Sequence, residues 1–164
     1  MEKFAVRKAE RYLDQEDYLV LPGLELIYVW NGFAILGQDY KLTEKMFILV
    51  EAEKKKVEAR PGLDEFNRLL IKQLWSYTHF ITSNPTESKY YNEDYCLVNL
   101  LLGVCLKQMK SPLQAEEYLK VVISFAGKLK ADAYLIPYSM FEYGQILRDQ
   151  GHLEAAMDTL ESAK

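Results

Sequence analysis

YGQILRDQGHLEAAMDTLESA, residues 143–163, reads as two helical stretches hinged at Gly151. Apolar residues recur at helical spacing on both sides, and the glycine punctuates them. Gly144 stands inside the first stretch and Ala156 inside the second, where larger side chains would bury more. A glycine in a helix interior costs about 1 kcal/mol relative to alanine, so a compensating contact is expected. The arrangement has a precedent upstream. Setting LLLGVCLKQMKSPLQAEEYLKVV (100–122) against FEYGQILRDQGHLEAAMDTLESA (141–163) aligns Gly103 with Gly144, Leu106 with Leu147 and Ala115 with Ala156. Leu119 then meets Leu160 and Val122 meets Ala163, each pair 41 residues apart (144 − 103 = 41). This pattern predicts two helix pairs, each touching at its small residues, with leucines of neighbouring turns filling the grooves.

Outward from these segments the chain stays helical. Residues 2–14 predict a short helix. Pro22 is expected to open a second one, through ELIYVWNGFAIL to about Gly37, because a missing N–H costs nothing in a first turn. After a GQDY turn, Leu42 to about Val57 predicts its partner. Residues 63–82, with Phe66, Leu69, Leu70, Leu74, Trp75 and Tyr77 at helical spacing, predict a further helix ended by Asn84-Pro85. Helices are expected around 93–109, from Ser111-Pro112 (N-cap and first position) to about 127–130, over 132–149, and from Leu153 onward. No strand pattern competes.

The composition is 49% hydrophobic and 27% charged, ordinary for a soluble globular chain, with a net charge of −4. That acidity argues against nucleic acid, which needs clustered Lys and Arg. Lys54-Lys55-Lys56 lies among glutamates and reads as a solvated helix face. No run approaches the roughly 20 apolar residues of a membrane helix. Cys96 and Cys105 fit no redox or zinc spacing and are expected to be buried thiols, which suits a reducing, cytoplasmic location.

The order small, large three later, small twelve after the first, bulky four after that resembles the tetratricopeptide repeat. The resemblance implies an all-α right-handed superhelix, an α-solenoid of antiparallel helix pairs. Its usual period is 34, against 41 here, so the helices between repeats should be lengthened. The best repeats span 96–130 and 137–164. The pair around Gly32 and Gly37 fits loosely, and Asn99 stands where an aromatic is common. A plain helical bundle is the alternative. The phrases KFAVRKAERYL, LPGLELIYVWNGFAILG, YCLVNLLLGVCLKQM and AYLIPYSMFEYGQILRDQGHLEAAMDTLESAK further resemble the C-terminal half of the tetratricopeptide repeat protein 39 family, nearest its C-type paralogue. This implies one helical-repeat domain over 1–164, a fragment of a larger cytosolic scaffold that binds proteins without catalysis.

The residues offer no chemistry of their own. His79 and His152 are the only histidines, the first expected to be packed and the second at an exposed turn. No HExxH, phosphate loop or G-x-S-x-G occurs. Ser76 near His79 lacks a third partner, and pairs such as Glu116-Glu117 or Asp64-Glu65 read as solvated surface. No metal, cofactor or catalytic residue is assigned.

The first helix of each repeat should line a concave groove. Its candidate residues are Leu97, Leu100, Val104 and Lys107 in one repeat and Tyr138, Phe141, Gln145 and Arg148 in the next. The positions of the chaperone carboxylate clamp hold Leu100, Val104, Phe141 and Gln145, so that clamp is absent. Two readings of the groove stay open. Another helix of the chain fills it, for which 63–82 is the candidate, or a partner protein does, anchored on Tyr138, Phe141 and Arg148. An unfinished terminal repeat would also leave apolar surface for a homodimer. Trp30 is expected in the core, and Asn31 to cap or bridge helices.

Overall fold

A computed structural model describes residues 2–15, 17–60 and 89–163. These form α1 (Glu2–Asp14), α2 (Pro22–Val29), α3 (Phe33–Leu36), α4 (Tyr40–Glu58), α5 (Tyr91–Gln108), α6 (Pro112–Ile123), α7 (Leu135–Asp149) and α8 (Leu153–Ser162), with no strand among the described residues. The helix expected over 63–82, with Trp75 and His79, lies outside the described residues.

Helix α5 is the axis of the molecule. It packs between α4 and α6 and also meets α2 and α7, so every residue from Cys96 to Leu106 is buried. A helix enclosed on all sides must be apolar all round, which explains the run CLVNLLLGVCL. Helix α6 returns along α5, α7 lies on α6, and α8 returns along α7.

The small residues sit where these pairs touch. A Cβ on Gly103 would stand 2.8 Å from Leu119 Cγ and 3.3 Å from the Ala115 carbonyl oxygen. One on Gly144 would stand 2.8 Å from Leu160 Cγ and 3.5 Å from the Ala156 oxygen. Both alanines are buried, at 0% and 3% exposure. The second pair therefore reproduces the first, and the glycines are needed because a leucine of the facing helix already fills the space.

The turns repeat as well. Lys110 (φ 61°) and Gly151 (φ 85°), 41 residues apart (151 − 110), are both left-handed. Ser111 N–H donates to the Leu106 carbonyl and His152 N–H to that of Leu147, each at 2.9 Å. These bonds are the outer closure of a Schellman motif. Pro112 opens α6 as expected, whereas the Ser111 hydroxyl makes no capping bond.

Four expectations are corrected. The helix expected from Pro22 to Gly37 is broken after Val29. Asn31 is left-handed (φ 59°), its N–H donates to the Tyr28 carbonyl at 2.8 Å, and Gly32 N–H donates to that of Ile27 at 2.7 Å. Asn31 is thus a helix terminator, a role its short polar side chain tolerates. Trp30 is 65% exposed rather than in the core, because the termination turns it out of the packed face. Lys54 is not simply solvated. Its side chain is 18% exposed, and its ammonium lies 4.7 Å from the centre of the Tyr118 ring. Glu116 is half-buried and accepts from Tyr143 Oη at 3.3 Å across the α6–α7 contact.

Candidate functional site: the face of α5 and α7

The expected groove residues divide by helix. On α5, Leu97, Leu100 and Val104 are between 0 and 1% exposed and belong to the core, with no surface left for a partner. Helix α2 also meets α5. Lys107, at the far end of α5, points to α7. Its ammonium pairs with Glu142 and donates to Gln145 Oε1 at 2.6 Å. Two of the expected residues, Lys107 and Gln145, are thereby brought together.

On α7 the face is shared between the chain and solvent. Tyr28 of α2 lies edge-on to Tyr138 at 5.8 Å, and its hydroxyl donates to Glu142 at 3.1 Å. Tyr134 meets Tyr138 edge-on at 5.6 Å and Phe4 of α1 at 5.8 Å, and its hydroxyl donates to Glu25 of α2. Burial, then the neighbouring carboxylate, raises both Tyr28 and Tyr134 far above the usual phenol range, so both remain donors. Tyr138 keeps 39% exposure and Phe141 49%. Arg148 is exposed, and its guanidinium pairs with the adjacent Asp149 at 2.7 Å.

Below this aromatic ladder lies a buried ionic cluster. Lys8 of α1 pairs with Glu25 at 2.6 Å and with Asp132 at 2.7 Å. Arg11 of α1 bridges Asp132, just ahead of α7, and Asp94 at the start of α5. Arg60 binds the second oxygen of Asp94 at 2.9 Å. Glu93 holds the same region by accepting from the Lys130 N–H at 3.0 Å. Burial raises the Glu25 carboxyl against the pull of Lys8, and raises Asp94 against Arg11 and Arg60. The cluster joins α1 to the leading ends of α5 and α7. Buried pairs of this kind add little net stability against an apolar alternative, but losing one partner strands a charge.

The sequence reading missed this cluster and the covering role of α1 and α2. The partners lie up to 124 positions apart, beyond any local pattern. The available signal was weak: Lys8 and Arg11 share a helix face three residues apart.

Among the described residues no group of His, Cys, Asp and Glu could hold a metal ion. The buried carboxylates of the cluster are matched by Lys8, Arg11 and Arg60. Cys96 and Cys105 are free and buried, and burial pushes both thiols up to about 12. No helix among the described residues is long and apolar enough to cross a membrane.

Two successive helix pairs that repeat after 41 residues define a helical-repeat solenoid of the tetratricopeptide class. The family model Iml2/Tetratricopeptide repeat protein 39 matches residues 1–109, and the chain belongs to that family. It is 26% identical over 164 residues to Tetratricopeptide repeat protein ttc-39B of Caenorhabditis elegans, a match covering 100% of this chain and 23% of that protein. The chain thus spans about a quarter of the length of this curated relative. No solved structure matches it.

Proposed function

We propose that the chain is a non-catalytic protein-interaction module, one helical-repeat domain of a larger cytoplasmic scaffold. Its partner binds on the outer strip of α7, at Tyr138, Phe141 and Arg148. The observation that carries this is Phe141, a large aromatic left 49% exposed on a well-packed helix. Aromatics and arginine dominate binding hot spots, and the strip offers both. Gln145 lies between them, while Leu97, Leu100 and Val104 serve as the wall behind. The family and relative are named for a repeat rather than a reaction, which supports the non-catalytic reading. Two buried free thiols support a reducing location.

A second reading has its own observation. Tyr28 already occupies Tyr138 and Glu142, so the groove can be structural, closed by α1 and α2. Phe141→Ala and Arg148→Glu separate the two. Under the binding reading both lose the same set of co-isolated proteins, while the melting temperature stays within about 2 °C, as for surface substitutions. Retention of the full set by both variants would leave only the structural role. So would a fall of many degrees for Phe141→Ala.

A further inference from the structure

The contact between one repeat and the next can be read at the α6–α7 junction and then carried forward by 41 residues. At that junction Lys107 binds Glu142 and Gln145 of the incoming helix. Glu116 accepts from the Tyr143 hydroxyl at 3.3 Å, and the Lys120 ammonium lies 5.2 Å from the centre of the Tyr143 ring. Adding 41 to 107, 116 and 120 gives Arg148, Met157 and Glu161. These three occupy the same places on α7 and α8, since Gly144, Ala156 and Leu160 reproduce the packing of Gly103, Ala115 and Leu119. Yet they are open. The Lys107 side chain is 19% exposed and that of Arg148 60%, Met157 is 63% exposed, and Glu161 is exposed.

We infer that the free face of α7 and α8 docks an amphipathic helix whose chemistry is that of α7 with one change. Arg148 keeps the cationic role of Lys107, so the incoming helix carries a carboxylate opposite it and an amide three residues on. Met157 and Glu161 replace Glu116 and Lys120. An acceptor has become apolar, and a cation has become an anion. The residue after the carboxylate is therefore not tyrosine. It is lysine or arginine, whose stem lies on Met157 while its head reaches Glu161. The continuity with the α6–α7 interface fixes the direction of this helix, and charge complementarity fixes its face. Arg148 is common to this face and the groove strip, whereas Tyr138 and Phe141 take no part here, so failure would leave the groove reading standing on the Phe141→Ala result.

The test uses the 164-residue protein, isotope-labelled, and a helix-stapled peptide of sequence 135–149 carrying Tyr143→Lys. Titration is expected to move the resonances of Arg148 and Met157. Arg148→Glu should weaken binding about tenfold or more, and a peptide with Glu142→Arg should restore it. The variant Met157→Glu with Glu161→Lys should reverse the preference, favouring the peptide with tyrosine at 143. Shifts centred on Lys107 and Glu116 would mean that the peptide displaces α7, and would overturn the proposal. So would the absence of shifts at millimolar peptide, or the failure of the charge exchange to restore binding.

Discussion

At the scale of single residues, the two repeat glycines are equivalent in sequence but not in consequence. At Gly103 the facing Leu119 is fully buried, whereas Leu160, facing Gly144, is half-buried. Gly103→Ala gains about 1 kcal/mol of helix propensity but forces a fixed leucine to move, at about 1–3 kcal/mol. Gly144→Ala has the same gain, and its leucine can give way toward solvent. Gly103→Ala should therefore lower the melting temperature by several degrees and Gly144→Ala by little or nothing, as thermal unfolding followed by circular dichroism would show. Equal losses would mean that the α8 end is packed as firmly as the centre. These glycines were legible in the sequence because helix pairing imposes a fixed spacing on small residues. Trp30 was not, since its exposure depends on Asn31 turning left-handed, which residue type permits but does not dictate.

At the scale of elements, α1 is tied to the stack mainly by charge, and its acidic partners titrate in an unusual direction. The Glu25 carboxyl is raised above its ordinary value of 4.5 by burial, so the folded protein holds that proton more tightly than the unfolded chain. The stability linked to this group is complete below the unfolded value and is lost as pH rises through the folded one. Asp94, raised above 3.8, acts in the same sense. Glu25→Gln removes the titration. The melting temperature of the unaltered protein minus that of the variant should fall as pH is taken from about 4 to about 7. A difference that grows over this range would show that attraction to Lys8 outweighs burial. Helices α4, α5, α7 and α8 were legible nearly to their ends, because amphipathic periodicity and Pro or Gly punctuation mark them locally, whereas α6 stops at Ile123, short of the expected 127–130. The placing of α1 and α2 against α7 was not. It rests on pairings between residues more than 100 positions apart, such as Tyr28 with Glu142.

At the scale of the whole molecule, the repeat pattern revealed how successive pairs stack, but not that the beginning of the chain returns to its later part. A stack whose units meet only their neighbours melts progressively, from its ends inward. Arg11 alters that expectation, since one guanidinium holds Asp94 of one repeat and Asp132 at the door of the next. The order of melting then depends on a residue far from either repeat in sequence. Arg11→Met should slacken the tie, so that amide exchange around residues 129–135 quickens well before exchange in α5. Uniform protection in the variant would mean that α5 to α8 hold together unaided. With the arginine in place the solenoid behaves less like an open spring than like a clasped bracelet, in which loosening any link is felt at the fastening.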